Sequence, residues 1–289
     1  GLCVVECPGK GGKKALTMED VHDRLYEAPL ADYVFKKTTY KSEFMPTDSI
    51  KGSQFLMPYF EVSGACAGCG ETPYYRLVSQ LFGRDMMIAN ATGCTSIYCG
   101  SAPSTPFVTD KDGEGIAWGN SLFEDNAEYG YGMKVAQEFK ANRIVEILTE
   151  ISATAEGEVK AAIDAYLNVK GNRNEERLVV KELVKALEKS THPRVNEVLE
   201  MKRDLVSNSV WIVGGDGWAY DIGYGGLDHV IANNLNVNIM ILDTEVYSNT
   251  GGQSSKSSQA ASIAKTNCDD LWSRICCVYL NGCKPYANN

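Results

Sequence analysis

The chain has 289 residues, enough for one large domain with appendages and an ample core. It carries 37 acidic against 28 basic residues, a formal charge of -9, which argues against nucleic acid and anionic membrane as partners. No apolar run approaches the roughly eighteen residues of a bilayer span. The first residue is Gly1 rather than Met, and no charged-then-apolar targeting segment follows, so a fragment of something longer is expected.

Ten cysteines fall unevenly, at Cys3 and Cys7, at Cys66, Cys69, Cys94 and Cys99, and at Cys268, Cys276, Cys277 and Cys283. A secreted disulfide framework fits the count, but such chains are usually short. In a larger α/β chain, close pairs speak more for metal or iron–sulfur ligation.

In chain order, Cys3 to Pro8 matches the end of the bacterial ferredoxin run C-x₂-C-x₂-C-x₃-C-P. In such a run the last cysteine serves the neighbouring cluster, which would place Cys3 and Cys7 on different clusters. From about Gly9 to Gln54 the composition is mixed, with Pro29, Pro46 and no clean periodicity; this reads as a linker with one short helix near Met18 to Tyr26. Cys66-Ala67-Gly68-Cys69 follows, where Gly64, Gly68 and Gly70 let backbone N–H groups turn towards cluster sulfurs. A thioredoxin-like pair, a zinc site and an iron–sulfur cluster all remain open there. A helix is expected at Tyr74 to Phe82 and a strand at Met86 to Asn90, with Cys94 on the turn after it. Cys99 reads as a small buried hydrophobe.

Trp118 to Gly132 reads as a loop that packs on a neighbouring domain or subunit, with Asn120 or Asn126 as the sharper, ligand-touching option. From Lys134 to Val206 the apolar residues recur at helical spacing (Ile144, Ile147, Leu148, Ile151; Leu183, Val184, Leu187), interrupted at Gly171 to Asn174. His192, before Pro193, reads as a turn residue; His229 reads as packing within a helix.

The most informative stretch comes next. Val210 to Val213 is a short apolar strand, and Gly214-Gly215-Asp216-Gly217 turns sharply after it. A helical span leads to a second strand, Val237 to Leu242, ending in Asp243 to Asn249 and Thr250-Gly251-Gly252. Two such strand ends lie side by side at the carboxyl edge of a parallel sheet, where ligands collect. Asp216, the Thr244 hydroxyl and the carbonyl near Val246 supply the hard oxygens that Mg²⁺ takes, with positions left for a diphosphate. Gly223-Tyr224-Gly225-Gly226 follows no strand and is rejected as a dinucleotide fingerprint.

Gly64 to Pro73, Asn90 to Cys94, Gly215 to Gly226 and Asp243 to Gly252 together closely resemble pyruvate:ferredoxin (flavodoxin) oxidoreductase. The resemblance runs from Gly1 to about Lys265. It implies an α/β thiamine diphosphate-binding fold, a parallel sheet flanked by helices, with a helical insertion and a ferredoxin-like remnant at the N-terminus. The implied domains are 1–15 (ferredoxin-like), 16–54 (linker), 55–255 (thiamine diphosphate-binding, insertion 134–206) and a tail, 256–289. The implied chemistry is oxidative decarboxylation of pyruvate to acetyl-CoA and CO₂, with thiamine diphosphate as electron sink, coenzyme A as co-substrate and [4Fe–4S] clusters passing electrons to ferredoxin or flavodoxin. By matching positions, Asp216, Thr244 and Val246 hold Mg²⁺. Glu71, Cys94, Gly215, Asp216, Gly217, Trp218, Thr244, Glu245, Val246, Tyr247, Ser248 and Asn249 line the cofactor, and Asn249 is the catalytic candidate. Cys66, Cys69 and Cys94 ligate the proximal cluster; Cys3 and Cys7 belong to the ferredoxin-type clusters. The rest of the parent polypeptide and a homodimer are implied partners, in the cytoplasm or, for an anaerobic protist, the hydrogenosome.

Two departures temper this. The family's activating glutamate and pyruvate-binding groups have no match here, so the chain alone is expected to be inactive. From Asn267 the composition shifts abruptly; a back-translation read one nucleotide later resembles the family's downstream sequence, so the tail is expected to be a frameshift product. Otherwise Cys268 or Cys283 would complete the cluster. The rival readings are a cluster-free enzyme of the acetolactate synthase or transketolase type and a plain metal-binding or electron-transfer module.

Overall fold

The computed structural model describes residues 2–100, 104–260 and 262. The expected frameshifted tail from about 267, with Cys268 and Cys283, lies outside the described residues. The chain divides into two compact units: Gly1–Arg84 with Ile97–Ile116, and the described part of Asp85–Ser96 with Ala117–Asn289.

The first unit holds α1 (Leu2–Val5), α2 (Ala28–Lys37), α3 (Ile50–Ser53) and α4 (Thr72–Phe82). The short helix expected near Met18 to Tyr26 is displaced: a 3₁₀ turn covers His22–Glu27 and the α-helix starts only at Ala28. Pro29, expected in a linker, sits in the first turn of α2, where its missing N–H costs nothing. Neither element buries a residue. The unit's core is aromatic. Phe60 stacks on Tyr75 at 5.3 Å between centroids and meets Phe107 and Tyr98 edge-on at 5.7 and 6.2 Å. Phe60 and Phe107 also form a bridge. Cys99 is fully buried, as expected, and burial pushes its thiol up.

The second unit is built on a four-stranded, all-parallel sheet of β1 (Met86–Ala91), β2 (Ala117–Ser121), β3 (Ser209–Gly215) and β4 (Asn238–Leu242), in the order β2-β1-β3-β4. α5 (Cys94–Gly100) leaves β1; α6 (Asn126–Thr154), α7 (Gly157–Val169), α8 (Arg173–Glu188) and α9 (Val195–Glu200) connect β2 to β3; and α10 (Tyr224–Ala232) connects β3 to β4. The expected α/β architecture with helix-flanked parallel strands is present. The expected loop from Trp118 to Gly132 is not: it holds β2 and the first turns of α6. Gly130, which reads as a loop former, lies in that helix because the sheet demands it; a Cβ there would stand 2.4 Å from Ile212 Cγ1.

α6 serves two cores. Its first turns bury Asn126, Ala127 and Gly130, with Ala127 packed beside Ala91, Ile212 and Trp218. Its last turns bury Ile144, Ile147, Leu148 and Ile151 against Ile163 and Tyr166 of α7, Leu183 and Leu187 of α8, and Val195 and Val198 of α9. The insertion thus has its own hydrophobic centre, broken at Ala155–Glu156 and 189–194 as well as at the expected Gly171, whose φ is +97°.

Candidate functional site at the carboxyl edge of the sheet

β1 and β3 are neighbours whose onward connections run to opposite sides, β1 to β2 and β3 to β4. That reversal of strand order opens a crevice at the carboxyl ends, where doubly wound sheets bind ligands. Buried polar groups hold the strand ends. Asn126 Nδ2 donates to the carbonyls of Ala89 (3.2 Å) and Val213 (3.0 Å), and its Oδ1 accepts from the Ser121 hydroxyl at 2.8 Å. Asn126 is fully buried and ties three strands; it is a fastener of the sheet, not the ligand contact its sequence context suggested. Asn90, also fully buried, donates to Ala91 O and to Thr95 Oγ1. His192 accepts from Arg194 N, the expected turn role, and His229 sits on α10 with Nε2 3.1 Å from Asn233 Nδ2.

After β3 the glycines have a structural cause. A Cβ on Gly214 would lie 2.6 Å from Trp218 Cε3, and one on Gly217 would lie 2.2 Å from Tyr247 Cε1. Gly217–Ile222 winds as a π-turn, closed by Gly223 N donating to Trp218 O at 3.0 Å. The Trp218 ring is fully buried in the sheet's core, and among the described residues its Nε1 has no hydrogen-bond partner. Gly215 and Gly93, at the ends of the adjacent β3 and β1, are open: a Cβ on Gly215 would meet only Leu242 O at 3.7 Å, and one on Gly93 nothing within 4 Å.

Asp216 is buried, 3 % exposed, and among the described residues it makes no ion pair. Hydroxyls serve it instead: Thr244 Oγ1 stands 3.4 Å from Oδ1, and Ser257 Oγ donates to Oδ2 at 3.1 Å. Thr244 Oγ1 also donates to Val246 O at 3.0 Å. A buried carboxylate without a basic neighbour is costly unless a cation is paired with it. Neighbouring oxygens around an octahedral Mg²⁺, with bonds of about 2.1 Å, stand about 3.0 Å apart. Thr244 Oγ1 stands at about that spacing from Val246 O (3.0 Å) and somewhat wider from Asp216 Oδ1 (3.4 Å), and the three groups have the hard-oxygen chemistry that fits the ion. Among the described residues no group of three or more His, Cys, Asp and Glu side chains is placed to hold a metal ion; this set mixes carboxylate, hydroxyl and carbonyl.

Around it, Glu245 adopts φ +61°, a left-handed turn held by its N–H donating to Asp243 Oδ1 at 2.9 Å. Tyr247 packs edge-on against Phe123 and donates its hydroxyl to Asp221 Oδ2 at 2.7 Å. Burial, then that carboxylate, pushes the Tyr247 phenol up. Ser248 Oγ lies 3.1 Å from Cys94 Sγ, and Asn249 is exposed in the Ser248–Thr250 turn. Gly251 and Gly252, with φ of +125° and +89°, let the chain reverse, and Gly252 N donates to Tyr247 O.

The remaining predicted ligands lie in the first unit. Cys66 is exposed and Cys69 half-buried. Gly68, at φ +75°, allows the turn in which Cys69 N donates to Cys66 O at 3.0 Å, so this N–H is spent on the turn and is not aimed at a sulfur. Glu71 stands at the residue before α4 without a side-chain cap bond and accepts from the Tyr98 hydroxyl at 3.0 Å. Burial, then the Glu71 charge, pushes the Tyr98 phenol up. Cys3 is exposed on α1 and half-buried Cys7 accepts from Ala15 N.

Ser257, Ser258 and Asp243 were not singled out by the sequence. The serine-rich run after Gly252 carries no motif and reads as the start of the tail, yet Ser257 reaches Asp216 and Asp243, Ser258 donates to Glu245 O, and Gln259 reaches Glu245 Oε1 at 3.2 Å. The available signal was local, since alternating hydroxyls fold back on their own backbone in such turns.

The family "Thiamine pyrophosphate enzyme, C-terminal TPP binding domain" matches residues 200–274, which includes β3, β4 and the crevice loops. The chain is 48% identical over 275 residues to pyruvate-flavodoxin oxidoreductase of Klebsiella pneumoniae, and 48% identical over 278 residues to pyruvate:ferredoxin oxidoreductase of Moorella thermoacetica. A probable pyruvate-flavodoxin oxidoreductase of Escherichia coli is 43% identical over 272 residues. The first two alignments each take in 92% of this chain and 23% of the relative, so the chain spans about a quarter of the proteins it matches. Over nearly all of its own length the chain is thus a homologue of the pyruvate:ferredoxin and pyruvate-flavodoxin oxidoreductases, and its residues 200–274 match the thiamine pyrophosphate enzyme C-terminal domain family.

Proposed function

We propose that this chain is the thiamine diphosphate-binding part of an enzyme that oxidises pyruvate to acetyl-CoA and CO₂ and delivers electrons to ferredoxin or flavodoxin. The observation that carries the reading is the buried Asp216, without a basic partner among the described residues, beside the Thr244 hydroxyl that also reaches the Val246 carbonyl at the strand-order reversal. Asp216, Thr244 and Val246 O would hold Mg²⁺, and the open backbone at Gly93 and Gly215 leaves room for a diphosphate. Thiamine diphosphate, when bound, supplies the electron sink for loss of CO₂. The chain's own residues bind and orient it: Tyr247 is locked by Asp221, Ser248 stands beside Cys94, and Asn249 is presented on an exposed turn as the catalytic candidate.

Cys66, Cys69 and Cys94 are proposed as proximal [4Fe–4S] ligands, with Cys3 and Cys7 on ferredoxin-type clusters; none of the six described cysteines is in a disulfide. Coenzyme A, a homodimer and the remainder of a longer polypeptide belong to the same reading, as does inactivity of the 289-residue chain alone. Calorimetry with thiamine diphosphate and Mg²⁺ tests it. Binding that requires Mg²⁺ and is lost in Asp216→Asn is expected; Mg²⁺-independent binding, or none, overturns the assignment. Anaerobic iron and sulfide analysis tests the cysteines separately, since a cluster-free thiamine enzyme would hold no iron.

A further inference from the structure

Residues 255–259 fold back over the crevice as a strap of hydroxyls. Ser257 is its centre. Its Oγ stands 3.1 Å from Asp216 Oδ2, 3.0 Å from Asp243 Oδ1 and 2.8 Å from Ser255 Oγ. A serine hydroxyl carries one proton, so it can serve only one of these carboxylates.

The neighbouring donors decide which. Asp243 already accepts from the Glu245 N–H at 2.9 Å, and the Tyr220 hydroxyl bonds to it as well. Among the described residues Asp216 has only the distant Thr244 hydroxyl besides Ser257, and the Thr244 proton has a better-placed acceptor in Val246 O at 3.0 Å against 3.4 Å. Ser255 is buried and can donate to Ser257, which leaves the Ser257 proton free for Asp216. A chain of this kind strengthens each link through polarisation.

Resting on the cation reading above, we propose that Ser257 is a positioning residue for the divalent cation: it fixes Asp216 Oδ2 and thereby turns Oδ1 towards Thr244 and the Val246 carbonyl. The hydroxyl does not ligate the ion; it holds the ligand. Carboxylates that bind metals commonly need such an outer partner, and its loss typically weakens metal binding about 10- to 100-fold.

The test is a titration of the full 289-residue chain with Mn²⁺, free ion being read by EPR, in Ser257→Ala, Ser257→Thr, Ser258→Ala and Asp216→Asn. Expected is weakening of about tenfold in Ser257→Ala, with binding kept in Ser257→Thr, which retains the hydroxyl, and in Ser258→Ala. Abolished binding in Asp216→Asn together with an unaffected Ser257→Ala overturns the positioning role and leaves the cation site standing. Equal weakening in Ser258→Ala also overturns it, assigning the effect to strap folding. Mn²⁺ binding that ignores Asp216→Asn, or is missing from the unsubstituted chain, overturns the proposal and the cation site together.

Discussion

The helical insertion and the carboxyl edge of the sheet are built on opposite principles. The insertion is held by bulk: Ile144, Ile147, Leu148, Ile151, Ile163, Leu183 and Leu187 are all fully buried against one another. Its main buried charge, Glu176, is answered on every side, by Gly171 N (2.8 Å), Ser207 N (2.7 Å), Ser207 Oγ (3.0 Å) and Lys170 Nζ (3.3 Å). The sheet edge is held by small groups and single protons, and its buried carboxylate, Asp216, has no basic partner among the described residues. A fully answered charge is structural; the under-answered one is the proposed cation ligand.

Substitutions can break this contrast, beginning with the largest effect. Leu148→Ala leaves a cavity in the insertion and should cost about 2–5 kcal/mol in a denaturant titration. Mn²⁺ affinity should stay as it was, and a parallel fall would mean the two regions are not chemically separate. Asn126→Ala should cost about 1–3 kcal/mol, because two buried carbonyls lose their donor. This change reaches the crevice, so cation affinity should fall with it.

Glu176 gives a pH signature. Burial disfavours its charge, but the Gly171 and Ser207 N–H groups, Lys170 and the Ser207 hydroxyl outweigh burial and hold its carboxyl below the usual range. A folded-state pKa below the unfolded one gives stability that is present above the unfolded value of about 4.3 and lost as pH falls through the folded one. Glu176→Gln should therefore be less stable than the parent at pH 6, and the two should converge towards pH 3. Curves that stay parallel would deny Glu176 this role. At the small end, Glu182→Gln removes an exposed pair with Lys185 and should leave the unfolding midpoint unchanged.

The same contrast explains how much was legible beforehand. The strands at Met86 to Asn90 and Val210 to Val213 stand out because buried parallel strands are apolar runs, and Val237 to Leu242 stands out by its Ile239-Met240-Ile241-Leu242 run although this edge strand is only half-buried. Asp216, Thr244 and Val246 stand out through residue type and the spacing of two strand ends. β2 was missed because Ala117–Ser121 is a half-exposed strand containing Gly119 and Asn120. The start of α6 was missed because Gly130 and Gly132 look like loop, although Ile212 leaves no room for a side chain at Gly130. Ser257 was invisible for another reason: its role depends on where one proton goes, and no periodicity records that.

One helix belongs to both regions. At 29 residues, α6 is a rod about 44 Å long whose first turns lie in the core of the sheet and whose last turns lie in the insertion. Fraying of the insertion therefore cannot stop at its own boundary without breaking a continuous helical ladder. Amide hydrogens of α6 should exchange in step with those of β1 and β3, so that the unit opens as one foldon rather than two.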